Sequence, residues 1–221
     1  MSSKTPLYFV PGLAANSRIF EYLQFDMDKY EVYTIDWLVP LSPEETIQDY
    51  AKRMSTFVKH ENPVLLGVSF GGIMVQEMSK HIKTNALFLI SSVKTSQELP
   101  KRLRIIQKTK AYKLFPLKAF QNLDQFSNLF LGDFVQTRIK LYENYMTMKD
   151  EKYLTWAIYN VLHWKQDMPL KNTIQIHGTD DAVFPIKHID APIQIKGGTH
   201  VMILNKAKTI CTIIDEKLSV I

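Results

Sequence analysis

The chain has 221 residues, of which 46% are hydrophobic and 22% charged, and its formal net charge is +5. This is the composition of a globular protein, and the length fits one domain with a large buried core. The start of the chain has no long apolar segment, and the single cysteine, Cys211, excludes an internal disulfide. We therefore expect no signal peptide, no transmembrane segment and a cytoplasmic location.

Six short aliphatic or β-branched runs predict strands. Most of them are apolar throughout rather than alternating, which is typical of parallel strands covered on both faces. Helical patterns lie between them, so we predict an α/β fold with a doubly wound, mostly parallel sheet of about six strands in a single domain, 1–221. The runs are residues 7–10, 31–35, 63–67, 86–90, 173–177 and 192–196.

Three helices are predicted between and after these strands. Residues 42–60 begin with Ser-Pro-Glu-Glu, which indicates a serine cap and a proline at the first helical position. Residues 71–82 follow the third strand directly, and residues 202–218 close the chain. Cys211 lies on the apolar side of this last helix, so we expect its thiol to be buried and unreactive.

The alternation of strands and helices stops between residues 97 and 168. This stretch has no convincing strand pattern but several helical patterns dense in leucine and aromatic residues. We therefore predict that 97–168 is a helical lid inserted over one end of the sheet. Its aromatic side chains suggest an apolar pocket, although most of them are expected only to pack the lid against the sheet. They are Tyr112, Phe115, Phe120, Phe126, Phe130, Trp156, Tyr159 and Trp164.

Positive charge is concentrated in residues 94–118. This segment has eight lysines and arginines and one acid, Glu98, so its net charge is +7 and that of the remainder of the chain is −2. A solvated helix face is the simpler interpretation. The alternative is a basic rim that attracts an acidic substrate, a carrier-protein partner or a membrane surface. Nothing in the sequence resembles a nucleic-acid-binding module.

Three glycines surround one serine in Gly-Val-Ser-Phe-Gly-Gly, residues 67–72. The stretch matches G-x-S-x-G and lies between a predicted strand and a predicted helix, which is the context required by a nucleophilic serine on a sharp turn. Glycines leave room for Ser69 to project above the sheet, and the helix N-terminus favours negative charge beside it. A plain tight turn is the alternative, but the context favours a nucleophile.

A loop after the first strand, residues 9–16, is a second candidate. Stabilising an oxyanion requires two backbone N–H groups aimed at one oxygen. Phe70, directly after Ser69, can supply one of them. Leu13 can supply the other, because Gly12 allows the chain to turn inwards. Loops of this kind are also common for structural reasons alone.

Two later junctions carry an acid and a histidine. Residues 177–185 contain Asp180 and Asp181, and either could orient and charge-balance a histidine. We expect His177, in the same stretch, to be structural. A lone histidine is usually a surface or capping residue, but His200 lies on a glycine-containing loop after the last strand, a position that favours a general base.

The chain order serine, acid, histidine, each after a successive strand, is that of α/β-hydrolases. The sequence resembles this superfamily along nearly its whole length, in LYFVPGLAAN, YEVYTIDWLVP, VLLGVSFGG, ALFLISSV, IQIHGTDDAVFP and IKGGTHVMI. The resemblance implies a catalytic triad in which Ser69 is the nucleophile and His200 the base. It also implies an oxyanion hole formed by the amides of Leu13 and Phe70.

The resemblance helps to choose between Asp180 and Asp181, and the sequence differs from the family's usual motifs in two places. The family's acid commonly ends a G-x-x-D motif, which favours Asp181 over Asp180. The oxyanion loop often reads His-Gly, whereas this chain has Pro11 before Gly12, so a side chain that often braces the loop is missing. The usual Pro-Gly-x-Gly after the second strand is also missing, which leaves the pocket wall around Trp37 undefined.

The resemblance implies covalent acyl transfer at Ser69, with hydrolysis of a carboxylic ester or thioester and no need for a metal or organic cofactor. A substrate with an apolar acyl part and an acidic handle would fit the aromatic lid and the basic segment. Two alternatives remain at this stage. The same fold hosts lyases and cofactor-free oxygenases, and a non-catalytic protein could use the pocket only to bind a small ligand.

Overall fold

The computed structural model describes residues 4–110, 142 and 144–220. Within them, six strands form one sheet in which every neighbouring pair is parallel. The six runs predicted as strands are confirmed, with differences of at most two residues at their ends. The strands are β1 (Thr5–Val10), β2 (Tyr30–Thr34), β3 (Val64–Val68), β4 (Ala86–Ile90), β5 (Thr173–Gly178) and β6 (Ile193–Ile195).

The strands lie in the order β2-β1-β3-β4-β5-β6. The chain therefore reverses its direction of travel across the sheet between β1 and β3, whose register pairs Leu7 with Val64. In open parallel sheets, ligands bind in the crevice at such a reversal, outside the carboxyl ends of the strands. The segments that follow β1, β3, β5 and β6 all begin at this end.

Helices cover both faces of the sheet. Because successive side chains of a strand face opposite sides, Leu65 and Leu66 of β3 belong to different apolar layers. The layer of Leu65 includes α1, α2 and α4, and the layer of Leu66 includes α5 and α6. The described helices are α1 (Ile47–Ser55), α2 (Phe70–Met78), α3 (Lys101–Thr109), α4 (Glu151–His163), α5 (Met202–Asn205) and α6 (Ala207–Leu218).

The start of α1 differs from the prediction. The helix begins at Ile47, and its cap is Thr46, whose Oγ1 accepts a 3.0 Å hydrogen bond from the Asp49 N–H. The predicted cap, Ser42, instead belongs to a separate turn, closed by a 3.2 Å bond from the Glu45 N–H to the Ser42 carbonyl. The Glu45 carboxylate also accepts from the Leu41 N–H within this turn and from the guanidinium of Arg53 in α1.

The C-terminal helix is divided in two. The prediction of one helix over 202–218 is wrong at Lys206, where φ is −121° and the chain leaves the helical region before α6 begins. Cys211 of α6 is buried as expected, and burial raises the pKa of its thiol.

Two helices of the predicted lid, α3 and α4, lie within the described residues. Trp156 and Trp164 are buried in the core, whereas Tyr159 is about half exposed. The other aromatic residues that we assigned to the lid, Tyr112, Phe115, Phe120, Phe126 and Phe130, lie outside the part of the chain that is described. None of the helices within the described ranges has the length and apolar character needed to span a bilayer.

Part of the basic segment makes contacts inside the protein. The Lys94 ammonium group lies 3.6 Å from the Asp190 carboxylate and 4.0 Å from that of Glu98. Lys101, Lys108 and Lys110 are exposed. Lys113 and Lys118 lie outside the described residues.

Candidate active site

Ser69 occupies a strained turn between β3 and α2. Its φ of 53° and ψ of −118° are costly for a residue with a side chain, so the surroundings must hold it in place. The Ser69 N–H donates to the Ile90 carbonyl at 3.0 Å, and the Ser92 hydroxyl donates to the Ser69 carbonyl at 2.7 Å. Both partners come from the end of β4 and the residues just after it.

The glycines next to Ser69 are required by close backbone approach. A Cβ on Gly67 would lie 2.2 Å from the Gly71 carbonyl oxygen, and a Cβ on Gly71 would lie 2.3 Å from that of Val10. A side chain at either position would therefore push α2 away from β3 or β1. The glycines allow the helix to begin directly against the strands, with Ser69 at its N-terminal end.

His200 reaches Ser69 from the loop that follows β6. Its Nε2 lies 2.9 Å from Ser69 Oγ, a hydrogen-bond distance. The imidazole is largely enclosed, with 13% of its side chain exposed, and the ring of Phe184 meets it edge-on at 5.4 Å between centroids. This packing limits the orientations that the imidazole can adopt.

Asp181 binds the other side of the imidazole. Its Oδ2 lies 2.9 Å from His200 Nδ1, while its Oδ1 accepts hydrogen bonds from the N–H groups of Val183 at 2.8 Å and Phe184 at 2.9 Å. Its side chain is fully buried. Asp180 is exposed and accepts a bond from the Thr179 hydroxyl instead. The structure therefore brings Ser69, His200 and Asp181 together and leaves Asp180 outside.

A second histidine contacts the same carboxylate. His177, at the end of β5, is fully buried, and its Nε2 lies 2.8 Å from the Phe184 carbonyl oxygen and 3.3 Å from Asp181 Oδ2. Burial lowers the pKa of His177 despite the nearby Asp181 charge. A neutral imidazole with its proton on Nε2 satisfies both oxygens. The sequence prediction of a structural role missed this contact with Asp181.

Arg102 of α3 also supports the loop that holds Asp181. One terminal nitrogen of its guanidinium donates to the carbonyl oxygens of Ala182 and Val183, both at 2.8 Å. These are the two residues that follow Asp181. No sequence motif marked Arg102, which was only one of eight basic residues in the 94–118 segment.

The loop after β1 lies over Ser69. The Ala15 N–H donates to the Gly12 carbonyl at 3.0 Å, which closes a turn in which Ala14 has a φ of 63°. Leu13 is the second residue of this turn, so the turn does not use its N–H. Phe70 is the first residue of α2, so its N–H has no partner within the helix. Both predicted oxyanion donors are thus left available by their local backbone.

Side chains brace this loop in place of the missing histidine. The Trp37 indole N–H donates to the Gly12 carbonyl at 2.9 Å, and the Trp37 ring stacks on Phe70 at 5.0 Å. The hydroxyl of Tyr153, from α4, lies 3.4 Å from the Ala14 nitrogen. Trp37 therefore contacts both segments that carry the predicted donors.

Within the described ranges, no group of three or more His, Cys, Asp or Glu side chains is arranged to hold a metal ion. What the site does contain is a hydroxyl, an imidazole and a carboxylate connected by hydrogen bonds, at the N-terminus of a helix. This arrangement can transfer a proton from Ser69 to His200 while the carboxylate holds the imidazole orientation.

The six-stranded parallel sheet flanked by helices is the fold of the α/β-hydrolase class. Residues 7–210 match the sequence profile of the alpha/beta hydrolase family, so the chain belongs to that family. Comparison with curated protein sequences finds no significant match.

Many solved structures share this fold, and the following three are distant in sequence. A hydrolase from Pseudomonas aeruginosa is 16% identical, with a TM-score of 0.72 over 99% of this chain and 91% of its own. A thermophilic esterase from Thermogutta terrifontis is 14% identical, with a TM-score of 0.64 over 98% and 90%. An epoxide hydrolase from metagenomes of hot environments is 11% identical, with a TM-score of 0.65 over 99% and 92%. At these identities the likeness concerns the fold alone.

Proposed function

We propose that the protein is a serine hydrolase that cleaves a carboxylic ester or thioester through an acyl-enzyme on Ser69. The observation that carries this proposal is the continuous chain of contacts from Ser69 Oγ to His200 Nε2 and from His200 Nδ1 to Asp181 Oδ2, each of 2.9 Å. Serine nucleophiles are activated by an adjacent base that a third group orients.

The proton transfers follow from the partners of each nitrogen. The carboxylate of Asp181 has no proton to donate, so His200 carries its proton on Nδ1 and offers the Nε2 lone pair to Ser69. As Ser69 Oγ attacks the substrate carbonyl, Nε2 takes its proton, and Asp181 stabilises the imidazolium. Nε2 then returns the proton to the leaving alcohol or thiol.

The second half of the reaction uses the same groups. Water replaces the leaving group, His200 removes its proton, and the acyl-enzyme is hydrolysed to a carboxylic acid and free Ser69. In both halves the carbonyl oxygen becomes negatively charged. The amides of Leu13 and Phe70 would stabilise that charge. In support, the Gly12–Ala15 turn does not use the Leu13 N–H, and α2 begins at Phe70.

The described surroundings favour an apolar acyl group. Trp37 and Phe70 stack on each other next to Ser69, and Trp156 meets Phe70 edge-on at 6.1 Å. Fewer residues support an acidic group on the substrate, because Lys94 and Arg102 already bind groups of the protein itself. The residues that could still attract an acidic group are the exposed lysines Lys101, Lys108 and Lys110.

The test is hydrolysis of p-nitrophenyl esters from acetate to dodecanoate by the wild type and by Ser69→Ala. We expect turnover with an optimum at one chain length, and its loss in Ser69→Ala with thermal unfolding little changed. A serine-directed phosphonate should label the wild type and not the variant. Retained turnover in Ser69→Ala would refute the acyl-enzyme. Absence of both labelling and turnover in the wild type would favour a lyase or a binding protein.

A further inference from the structure

Tyr142 places its hydroxyl next to Ser69. A Cβ built on Gly12 would lie 2.3 Å from the Tyr142 phenolic oxygen and 3.7 Å from Ser69 Cβ. The phenolic oxygen is therefore within about 6 Å of Ser69 Cβ, the sum of these two separations. A side chain at position 12 would therefore require this hydroxyl to shift.

Backbone contacts hold the residues after Tyr142 against the oxyanion loop. The Tyr142 carbonyl accepts a 2.9 Å bond from the Tyr145 N–H. The Tyr145 carbonyl accepts from the Asn16 N–H at 2.9 Å, and the Met148 N–H donates to the Ala14 carbonyl at 3.0 Å. Ala14 lies in the turn that carries Leu13, and Asn16 directly follows that turn, so the residues after Tyr142 are bonded to the same loop as the predicted donor.

The Tyr142 hydroxyl carries a proton that it can donate. Its ring packs against both apolar layers of the sheet, and burial raises the pKa of the phenol above its usual value. At neutral pH the oxygen therefore keeps its proton. A neutral O–H group can donate to an oxyanion without adding a negative charge beside it.

We propose that the Tyr142 hydroxyl donates a hydrogen bond to the carbonyl oxygen of the substrate as that oxygen becomes negatively charged. It would act as a third donor with the amides of Leu13 and Phe70. This inference rests on the proposed acyl transfer at Ser69. It makes Tyr142 a catalytic residue contributed by the predicted lid.

The substitution Tyr142→Phe removes one oxygen and keeps the packed ring. We expect kcat for the best p-nitrophenyl ester to fall at least tenfold, with KM changed less than threefold, because the donor acts mainly on the transition state. Tyr30→Phe is the matched control. Tyr30 is buried, and its hydroxyl donates to Asp215. It lies at the N-terminal end of β2, whereas the site lies at the carboxyl ends of the strands. Its kcat should stay within twofold of the wild type.

The rate of labelling by a serine-directed phosphonate separates the two proposals, since its phosphoryl oxygen takes the place of the oxyanion. We expect Tyr142→Phe to be labelled at least tenfold more slowly than the wild type and Tyr30→Phe. Equal labelling of Tyr142→Phe, or a kcat equal to or above that of the wild type, would overturn the role of Tyr142 alone. A wild type that is neither labelled nor active would overturn the role of Ser69 as well.

Discussion

The Trp37 indole N–H donates a 2.9 Å hydrogen bond to the Gly12 carbonyl, directly before Leu13. Trp37 also stacks on Phe70, so one side chain fixes the spacing between the two predicted oxyanion donors. In Trp37→Phe the hydrogen bond is lost and the stacking is reduced. We expect kcat on p-nitrophenyl esters to fall about tenfold, because small misplacements of donors weaken transition-state stabilisation steeply.

A second buried tryptophan provides the control for this substitution. Trp164 is 4% exposed, and its indole N–H donates to the Glu77 carboxylate at 2.7 Å, away from the oxyanion loop. Trp164→Phe should therefore lower the melting temperature with kcat of the folded enzyme nearly unchanged. An equal loss of kcat in both variants would show that general destabilisation, and not the Gly12 contact, is responsible.

The adjacent aspartates permit a matched comparison. Asp181→Asn keeps an oxygen for the N–H groups of Val183 and Phe184 but turns an amide NH₂ toward His200 Nδ1. His200 would then carry its proton on Nε2 and could not accept one from Ser69. We expect kcat to fall about 1,000- to 10,000-fold.

Asp180→Asn alters an exposed carboxylate. Among the described residues, its hydrogen-bond partner is the Thr179 hydroxyl. Its kcat and KM should stay within about twofold of the wild type. Steady-state kinetics of the two variants side by side, with circular dichroism to establish folding, provide the measurement. A large loss in Asp180→Asn and none in Asp181→Asn would contradict the assignment of the acid.

Much of this site follows from residues that are near each other in sequence. The motif around Ser69 and the apolar run before it suffice to predict the turn, because the glycines and the strand are local features. The positions of Asp181 and His200 could also be predicted, since parallel strands bring their carboxyl ends to one edge. The start of α1 could not be predicted from capping rules, because two plausible caps, Ser42 and Thr46, lie four residues apart.

Contacts between distant segments could not be predicted from the sequence. Trp37 binds Gly12 and Tyr142 approaches it, yet neither lies in a motif that specifies a partner. The same holds for Arg102, whose charge suggested a solvated face or a rim for acidic ligands. Its guanidinium instead reaches carbonyls 80 and 81 residues away. The contacts of Tyr142 and Arg102 depend on how the inserted segment packs against the rest of the fold, and that of Trp37 depends on how the loops after β1 and β2 meet.

Arg102 connects α3 to the loop that carries Asp181. In Arg102→Met the apolar stem remains, but the carbonyl oxygens of Ala182 and Val183 each lose a 2.8 Å hydrogen bond. We expect the free energy of unfolding to fall by about 1–3 kcal/mol, since bonds to charged donors contribute that much. We also expect kcat to fall several-fold with KM little changed, because the loop no longer fixes Asp181.

Arg104 on the same helix serves as the control. Its guanidinium donates to the carbonyls of Leu99 and Gln97, at the N-terminal side of its own helix. We expect Arg104→Met to lower the free energy of unfolding by less than about 1 kcal/mol and to leave kcat unchanged. Urea unfolding and steady-state kinetics test both variants. If Arg102→Met kept full kcat while losing stability, Arg102 would hold the lid helix in place without positioning Asp181.

His177 provides a test of pH dependence. Burial lowers the pKa of His177, and the charge of His200 lowers it further. The charges of Asp181 and Glu98 act in the opposite direction but are weaker than burial. The unfolded chain therefore binds a proton at this residue more readily than the folded protein does. Stability contributed by neutral His177 is then present above the unfolded pKa, about 6.5, and is lost as the pH falls below it.

The substitution His177→Gln removes this titration and keeps an N–H donor for the Phe184 carbonyl. We expect the free energy of unfolding of the wild type to fall more steeply than that of the variant below about pH 6.5, by at most about 1.4 kcal/mol per pH unit for one proton. Urea unfolding between pH 5 and 8 measures the difference. Parallel curves would mean that His177 is protonated equally in the folded and unfolded states, and that its contact with the Phe184 carbonyl does not require the neutral form.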